Sequence, residues 1–271
     1  MPVRIVQSKQ NARLKELRRA LRSPERTGGV IGIEGPNLVE EAIRAGLRVK
    51  SVFVGERFQH WLQGLELPES AETLVTASGI LAGTLSTEAP QAVAALAEPP
   101  AWSWADVLGG RGKLTMVVVL AGVQDPGNLG TILRSAEAFG ADGLVSLPGT
   151  VSCWNQKAMR ASAGSVFRMP VIQAGVDEAF EHLRSAGLRV LTTVARGGVP
   201  ADTVDLRAPV ALLIGNEGNG VPEEIASRAD GAVTIPCPGP VESLNASVAA
   251  GVLLYEVSRQ RRTAAPKRSG G

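Results

Sequence analysis

Residues Leu114 to Leu120 read LTMVVVL, a nearly continuous apolar run rich in β-branched side chains and bounded by turn residues. Such a run fits a strand covered on both faces, and strands of that kind belong to the interior of a parallel sheet. The residues that follow alternate in the same sense. Helices are expected at Leu129 to Phe139, near Gln156 to Ala161, at Asp177 to Ala186 and at Glu223 to Ala229, with a long last helix from about Ala246 to Arg262. Strands are expected at Gly143 to Leu147, Val166 to Ile172, Leu188 to Val194, Val210 to Ile214 and Ala232 to Ile235. This order gives an open α/β sheet with helices on both faces, and such sheets hold ligands in the loops beyond the carboxyl ends of their strands.

The first part of the chain also alternates. An amphipathic helix at Arg13 to Arg22 places Leu14, Leu17 and Leu21 on one face and Lys15, Arg18, Arg19 and Arg22 largely around the others. Strands at Val30 to Glu34, Val49 to Val54, Thr73 to Thr76 and Gln91 to Ala97 are interleaved with helices at Leu38 to Ala45, Phe58 to Leu62 and Ile80 to Leu85. The Pro-, Trp- and Gly-rich stretch from 98 to 113 breaks the pattern and reads as a linker. The expected organisation is therefore a domain over 1–97, the linker, a second domain over 114–262 and a small, polar, disordered tail over 263–271. No repeat is evident.

A chain of 271 residues, 44% of them hydrophobic, supplies a real core. Its longest apolar runs fall well short of the ~18 residues that cross a bilayer, and its N-terminus lacks a signal peptide's apolar centre, so a soluble, cytoplasmic protein is expected. Two cysteines and two histidines without CxxC or HExxH spacing argue against a zinc site or a disulfide scaffold.

The net charge of +2 hides an asymmetry. Residues 1–26 hold eight Lys/Arg against Glu16 and Glu25, and residues 259–271 hold five with no acid, which leaves −9 for the stretch between. Basic ends on an acidic body suit a polyanion, although such runs also serve simply as solvated faces. With one Tyr, five Phe and four Trp, the chain is poorly equipped to stack bases, so phosphate and shape contacts would dominate.

Three loops concentrate the chemistry. Ala121-Gly122-Val123-Gln124-Asp125-Pro126-Gly127-Asn128 leads into a helix that carries Arg134 in its second turn. Ile214-Gly215-Asn216-Glu217-Gly218-Asn219-Gly220 places glycines where backbone can approach a ligand, yet it is neither G-x-G-x-x-G nor a P-loop. Its Glu217 could equally cap a helix or pair with an arginine. Ile235-Pro236-Cys237-Pro238-Gly239-Pro240-Val241-Glu242-Ser243-Leu244-Asn245 is stiffened by three prolines, and Ser243 and Asn245 are each good N-caps for the last helix.

Taken together, N-x5-R-x-A-x2-F-G at Asn128 to Gly140, IGNEGxG at Ile214 to Gly220 and IPCPGPVESLNASVA at Ile235 to Ala249 closely resemble the three motifs of the SpoU/TrmH family of RNA ribose 2′-O-methyltransferases. The first part, with Asn11-Ala12-Arg13-Leu14-Lys15 and Ile33-Glu34-Gly35-Pro36-Asn37-Leu38-Val39-Glu40-Glu41-Ala42, resembles the L30e-like substrate-binding domain that many members carry. The resemblance implies a SPOUT fold with a trefoil knot in its mainly parallel sheet. It further implies S-adenosylmethionine bound in the knotted loops, no metal, and a homodimer whose two subunits build the site together. On matching positions Gly215, Ile235 and Leu244 would contact the cofactor, with Ile214 and Val194 beside them. Arg134 corresponds to the family's catalytic arginine. Asn128 would position ribose or loop, Glu217 would hold the site and contact Arg134, and Ser243 with Asn245 would organise the third motif. The RNA partner implied is ribosomal, a 23S-type guanosine by analogy, with tRNA as the alternative. Lys9, Arg13, Lys15 and Arg18 are the phosphate-contact candidates. A non-catalytic RNA-binding module with this fold is a different reading, opposed by the intact site residues. A nicotinamide oxidoreductase is another, opposed by the missing dinucleotide fingerprint.

Overall fold

The structure, a computed structural model, describes residues 3–23, 29–68, 70–86, 91–109 and 114–264. The chain divides into two compact units, Met1–Ala101 with Trp154–Arg168, and Trp102–Cys153 with Met169–Gly271.

The first unit is built on a five-stranded mixed sheet. Its strands are β1 (Val3–Val6), β2 (Ile31–Glu34), β3 (Val49–Gly55), β4 (Glu72–Thr76) and β5 (Val93–Ala97), in the order β1-β4-β3-β5-β2. The β1, β4 and β3 strands run parallel, and β5 is antiparallel to both β3 and β2. Helix α1 (Ala12–Arg22) starts where the Asn11 side chain accepts the N–H groups of Arg13 and Leu14. It buries Leu14, Leu17, Ala20 and Leu21 against Val6, Phe53, Leu74 and Leu96. At roughly 1.5–3 kcal/mol per fully buried large apolar side chain, this face anchors the helix. Helix α2 (Pro36–Arg44) follows Gly35 at φ +98°, a left-handed value that glycine adopts without strain, and has Pro36 in its first turn. Helix α3 (Ser78–Ala82) is short, and the helix expected at Phe58 to Leu62 is a 3-10 helix over Glu56–Gly64.

The Trp154–Arg168 segment groups with this first unit, which interrupts the continuous 114–262 domain expected from sequence. The physical reason is specific pairing. Gln156 Nε2 donates to Gly32 O at 2.8 Å, Arg168 pairs with Glu41 at 2.6 Å, and a Cβ at Gly164 would sit 2.7 Å from the Glu41 side chain. Helix α6 (Gln156–Ser162) ends with Ala163 at φ +48° and Gly164 at φ +88°. The expected strand at Val166 to Ile172 therefore begins as a 3-10 turn, Ser165–Phe167.

The second unit carries a seven-stranded sheet whose pairings are all parallel. Its strands are β6 (Met116–Ala121), β7 (Gly143–Ser146), β8 (Val171–Gln173), β9 (Arg189–Thr193), β10 (Val199–Pro200), β11 (Val210–Gly215) and β12 (Gly231–Thr234), in the order β10-β12-β9-β11-β6-β7-β8. β6 and β11 are buried at every position, as their apolar sequences require. The helices are α4 (Trp104–Val107), α5 (Pro126–Ala138), α7 (Val176–Ser185), α8 (Glu223–Ala226) and α9 (Ala246–Ala264). α4 lies inside the stretch read as a linker. It is held by the Ser103–Asp106 capping box and by Trp104, whose ring stacks on His182 with centroids 4.3 Å apart and whose Nε1 donates to Glu178. Residues 110–113 lie outside the described residues, as does the expected 263–271 tail from 265 onward; its first two residues, Thr263 and Ala264, instead continue α9.

Part of the basic C-terminal end is spent on the fold. Arg259 pairs with Glu256 at 2.7 Å. Arg261 donates to the carbonyls of Leu114, Thr115 and Ala208, and burial lowers its pKa against the opposing pull of Asp142. The cluster that reads as a polyanion surface thus contributes two of its arginines to fixing the end of α9.

Candidate active site

The three loops singled out in the sequence meet at the carboxyl edge of β6, β11 and β12. After β6, Gly122 N donates to Thr150 Oγ1, and Asp125 caps α5 by accepting the Asn128 N–H at 2.9 Å with Pro126 at the first helical position. After β11, Asn216 and Gly220 exchange two backbone hydrogen bonds of 2.8 and 2.9 Å, while Asn216 Nδ2 reaches across to Gly122 O at 3.0 Å. After β12, Asn245 Oδ1 accepts the N–H groups of Ser247 and Val248 and so starts α9.

One chain of side chains joins all three. Asn245 Nδ2 donates to Asn128 Oδ1 at 3.0 Å, and Asn128 Nδ2 donates to Glu217 Oε1 at 2.9 Å. Glu217 also accepts the backbone N–H groups of Asp125 at 3.2 Å and Gln124 at 3.3 Å. Partial burial pushes the Glu217 carboxyl upward, but the hydrogen bonds from Asn128 and the backbone outweigh it and hold the group below the usual carboxylate range. Glu217 is thus an ionised clasp between the first and second loops. It neither caps α8 nor pairs with an arginine, and the expected Glu217–Arg134 contact is absent among the described residues. Asn245 therefore does two things, capping α9 as expected and linking to the Asn128 side chain.

Beside this clasp is a cavity of about 620 Å³. Its wall includes all five residues named as cofactor contacts, Val194, Ile214, Gly215, Ile235 and Leu244, together with Glu217 and Ser243. Asn128, Arg134 and Asn245 lie outside that wall. The sequence reading missed Thr192, Thr193, Arg196, Val233 and Leu253, which also line it. The strand end Thr192-Thr193 carried only a β signal, because a threonine in a strand is ordinary. The volume falls within the range of ordinary small-molecule sites, and the wall mixes apolar strand ends with polar side chains. Thr192 is a lining residue, but its hydroxyl oxygen is buried away from the open space and has no hydrogen-bond partner among the described residues. These features fit S-adenosylmethionine, a nucleoside with uncharged polar edges joined to a charged amino-acid tail. Apolar strand ends would hold the nucleoside, and exposed Arg196, Glu217 and Glu242 stand where the tail could leave.

Arg134 projects from α5 into solvent and makes no hydrogen bond or ion pair among the described residues. Ser243 is exposed on the third loop. Cys237 lines the cavity and is exposed, whereas Cys153 is buried and its thiol is pushed up to about 12 by burial. Among the described residues no group of three His, Cys, Asp or Glu could hold a metal ion, and no helix is long and apolar enough to cross a membrane.

The four RNA candidates differ in their surroundings. Lys9 and Lys15 are exposed, without an ion pair among the described residues. Arg13 pairs with Glu16 at 3.0 Å and Glu72 at 3.1 Å, and its pKa is raised first by Glu16. Arg18 is half-buried and donates to Thr84 Oγ1 at 3.4 Å.

Comparison with known proteins places these features in context. A profile described as "SpoU rRNA Methylase family" matches residues 115–255. The 23S rRNA (guanosine(2553)-2′-O)-methyltransferase RlmP of Bacillus subtilis (strain 168) is 32% identical over 93% of this chain and 98% of its own length. The SpoU methyltransferase AviRb from Streptomyces viridochromogenes, crystallised with AdoMet, superimposes with a TM-score of 0.84 at 29% identity, covering 94% of this chain and 99% of that one. An AdoMet-bound rRNA methyltransferase from Sinorhizobium meliloti gives a TM-score of 0.83 at 30% identity over 95% and 98% of the two chains.

Proposed function

This chain belongs to the SpoU rRNA Methylase family, and we propose that it transfers a methyl group from S-adenosylmethionine to a ribose 2′-hydroxyl of ribosomal RNA. The observation that carries this reading is the side-chain chain Asn245–Asn128–Glu217, which locks three separate loops around one cavity lined by the residues the motifs name. A guanosine of 23S-type rRNA is the proposed target, supported by the likeness to RlmP over nearly the whole chain.

The donor supplies a sulfonium-activated methyl group. In the transfer the ribose oxygen would form a bond to that carbon as the carbon–sulfur bond breaks, the sulfur leaving as a neutral thioether and the hydroxyl proton passing to water; no metal is needed. The protein's task is alignment and charge stabilisation. Ile214, Ile235 and Leu244 bind by excluding water, and the backbone of the Gly215 loop reads the nucleoside. Glu217 keeps the α5 and β11 loops in register, and Ser243 orients the third loop. Arg134 orients phosphate or ribose and stabilises negative charge growing on the 2′-oxygen, because a guanidinium offers hydrogen-bond donors and no acceptor.

A homodimer belongs to the same proposal. Val248 (51% exposed), Val252 (39%) and Tyr255 (45%) form an apolar stripe on α9, and with Phe139, Thr131 and Ser135 of the α5 region they line a depression of about 400 Å³. A second copy covering this face would place Arg134 of α5 in a shared site. The trefoil knot, the L30e-like role of the N-terminal unit, RNA contact through Lys9, Arg13, Lys15 and Arg18, and a cytoplasmic location complete the proposal. Lys9 and Lys15 carry the RNA assignment best because their charges are not offset locally.

The test is a calorimetric titration with S-adenosylmethionine, followed by methyl-labelling of rRNA and tRNA from cells lacking this protein. Donor binding and labelled rRNA are expected; a protein that does not bind the donor would refute the proposal, and labelled tRNA alone would replace its substrate.

A further inference from the structure

We propose that Arg196 binds the carboxylate of the methyl donor's amino-acid tail at the solvent-exposed margin of the cavity. The inference rests on the donor-site reading above and adds to it a recognition residue that lies outside all three motif loops.

Arg196 stands in the turn between β9 and β10 and lines the cavity. That turn is tied to β12 on both sides of the arginine. Val194 N donates to Val233 O at 3.0 Å, Thr234 Oγ1 donates to Ala195 O at 3.0 Å, and Val199 pairs with Val233. Gly198 packs so closely against the same strand that a Cβ there would lie 2.8 Å from the backbone carbon of Val233. The backbone that carries Arg196 is therefore held in place. Its side chain is exposed and makes no hydrogen bond or ion pair among the described residues, so the guanidinium is free to meet a ligand.

The charges on the wall select the group it meets. Among the described residues that line the cavity, Arg196 is the one cation, and Glu217 and Glu242 are the two anions. S-adenosylmethionine carries the opposite set, one carboxylate with a sulfonium and an ammonium. An RNA phosphate here would face two carboxylates beside a single guanidinium, whereas the donor balances the wall charge for charge. The nucleoside belongs where Ile214, Val233 and Leu253 are buried on the wall. This leaves the tail at the exposed margin, where Arg196 stands. A guanidinium offers a carboxylate two parallel N–H donors in a fixed fork, which an ammonium cannot reproduce.

The test compares Arg196→Gln and Arg196→Lys with the unaltered protein, by thermal unfolding and by calorimetry with S-adenosylmethionine and with its decarboxylated form. The second ligand keeps the nucleoside, sulfonium and ammonium but has no carboxylate. Arg196→Gln is expected to keep the ligand-free Tm, to weaken S-adenosylmethionine about tenfold and to leave the decarboxylated donor within about twofold; Arg196→Lys should recover part of the loss. In the unaltered protein the preference for the carboxylated donor should shrink as salt is raised. Unchanged affinity for S-adenosylmethionine in Arg196→Gln, or an equal loss for both donors, would overturn the inference. Intact donor affinity with weakened rRNA binding would overturn it too, and would assign the arginine to phosphate. Leu244→Arg, which fills the same cavity, separates the two levels of argument. If it abolishes donor binding while Arg196→Gln leaves it intact, the Arg196 inference alone fails; if neither variant affects binding, the cavity is not the donor site.

Discussion

Replacing Gly215 with alanine tests the loop that closes the cavity. A Cβ built on Gly215 would lie 2.1 Å from the backbone carbon of Gly220 and 2.1 Å from the nitrogen of Val221, where ordinary contact begins at 3.4 Å. These neighbours are backbone atoms, so no side chain can swing aside. The loop must instead give by about an ångström or more, which a close-packed strand end resists. That displacement pulls on the pair of hydrogen bonds between Asn216 and Gly220. At about 1 kcal/mol each, with strain added, the expected destabilisation is about 2–4 kcal/mol. The larger effect should be functional, because the same backbone lines the cavity and presents Glu217 to Asn128. Thermal unfolding and calorimetry with S-adenosylmethionine check both. The reasoning predicts a folded protein with a lower Tm and donor affinity reduced at least ~30-fold, about 2 kcal/mol. Native stability and native affinity in Gly215→Ala would show that the backbone approach does not matter.

Other outcomes follow from the same geometry. Arg134→Ala should lower the methyl-transfer rate about 10²–10³-fold with little change in donor affinity by calorimetry, since the side chain is outside the cavity wall; near-native turnover would remove its catalytic assignment. The lowered pKa of Glu217 contributes stability that is complete above the ordinary glutamate value of about 4.3 and is lost as pH falls through the lower folded value. Glu217→Gln should therefore flatten the acid limb of a Tm-versus-pH profile and weaken loop coupling, whereas an unchanged acid limb would deny the clasp. Combined Lys9→Glu and Lys15→Glu should weaken rRNA binding and reduce the slope of log affinity against log salt by about 1–2, as for one or two lost phosphate contacts; an unaltered slope moves the RNA surface elsewhere. Val252→Glu on the apolar stripe of α9 should shift sedimentation toward the monomer, and a dimer unaffected by it would use another face.

The sequence made the parallel sheet legible where burial is symmetric. The Met116–Ala121 and Val210–Gly215 strands are apolar throughout because both faces are covered, and no alternation was needed to find them. The strand over Val3–Val6 was missed because its pairing with Glu72–Thr76 is distant in sequence and has no local turn signal. The segment around Val166 misled for a related reason. Val-Phe-Arg-Met reads as a strand, but Phe167 stacks near Trp154 and Arg168 pairs with Glu41, which draws it into a turn.

Charge was the least legible property. Arg13, Arg259 and Arg261 counted as surface cations in composition, yet Glu72, Glu256 and three backbone carbonyls reach them only after folding. The cavity-lining residues on the motif loops were named through the resemblance of those loops to the family's motifs; their glycines and prolines alone indicated only a stiffened backbone that can approach a ligand. The Asn245–Asn128–Glu217 connection was not readable, since each residue alone is a competent cap or turn former.

The central claim concerns the atom that receives the methyl group. Ribosomal RNA treated with this protein and methyl-labelled S-adenosylmethionine can be digested to nucleosides and the label located by mass-spectrometric fragmentation. Ribose methylation predicts label retained on the ribose fragment, dependent on Arg134. Label on the free base, or transfer that persists undiminished in Arg134→Ala, would contradict it.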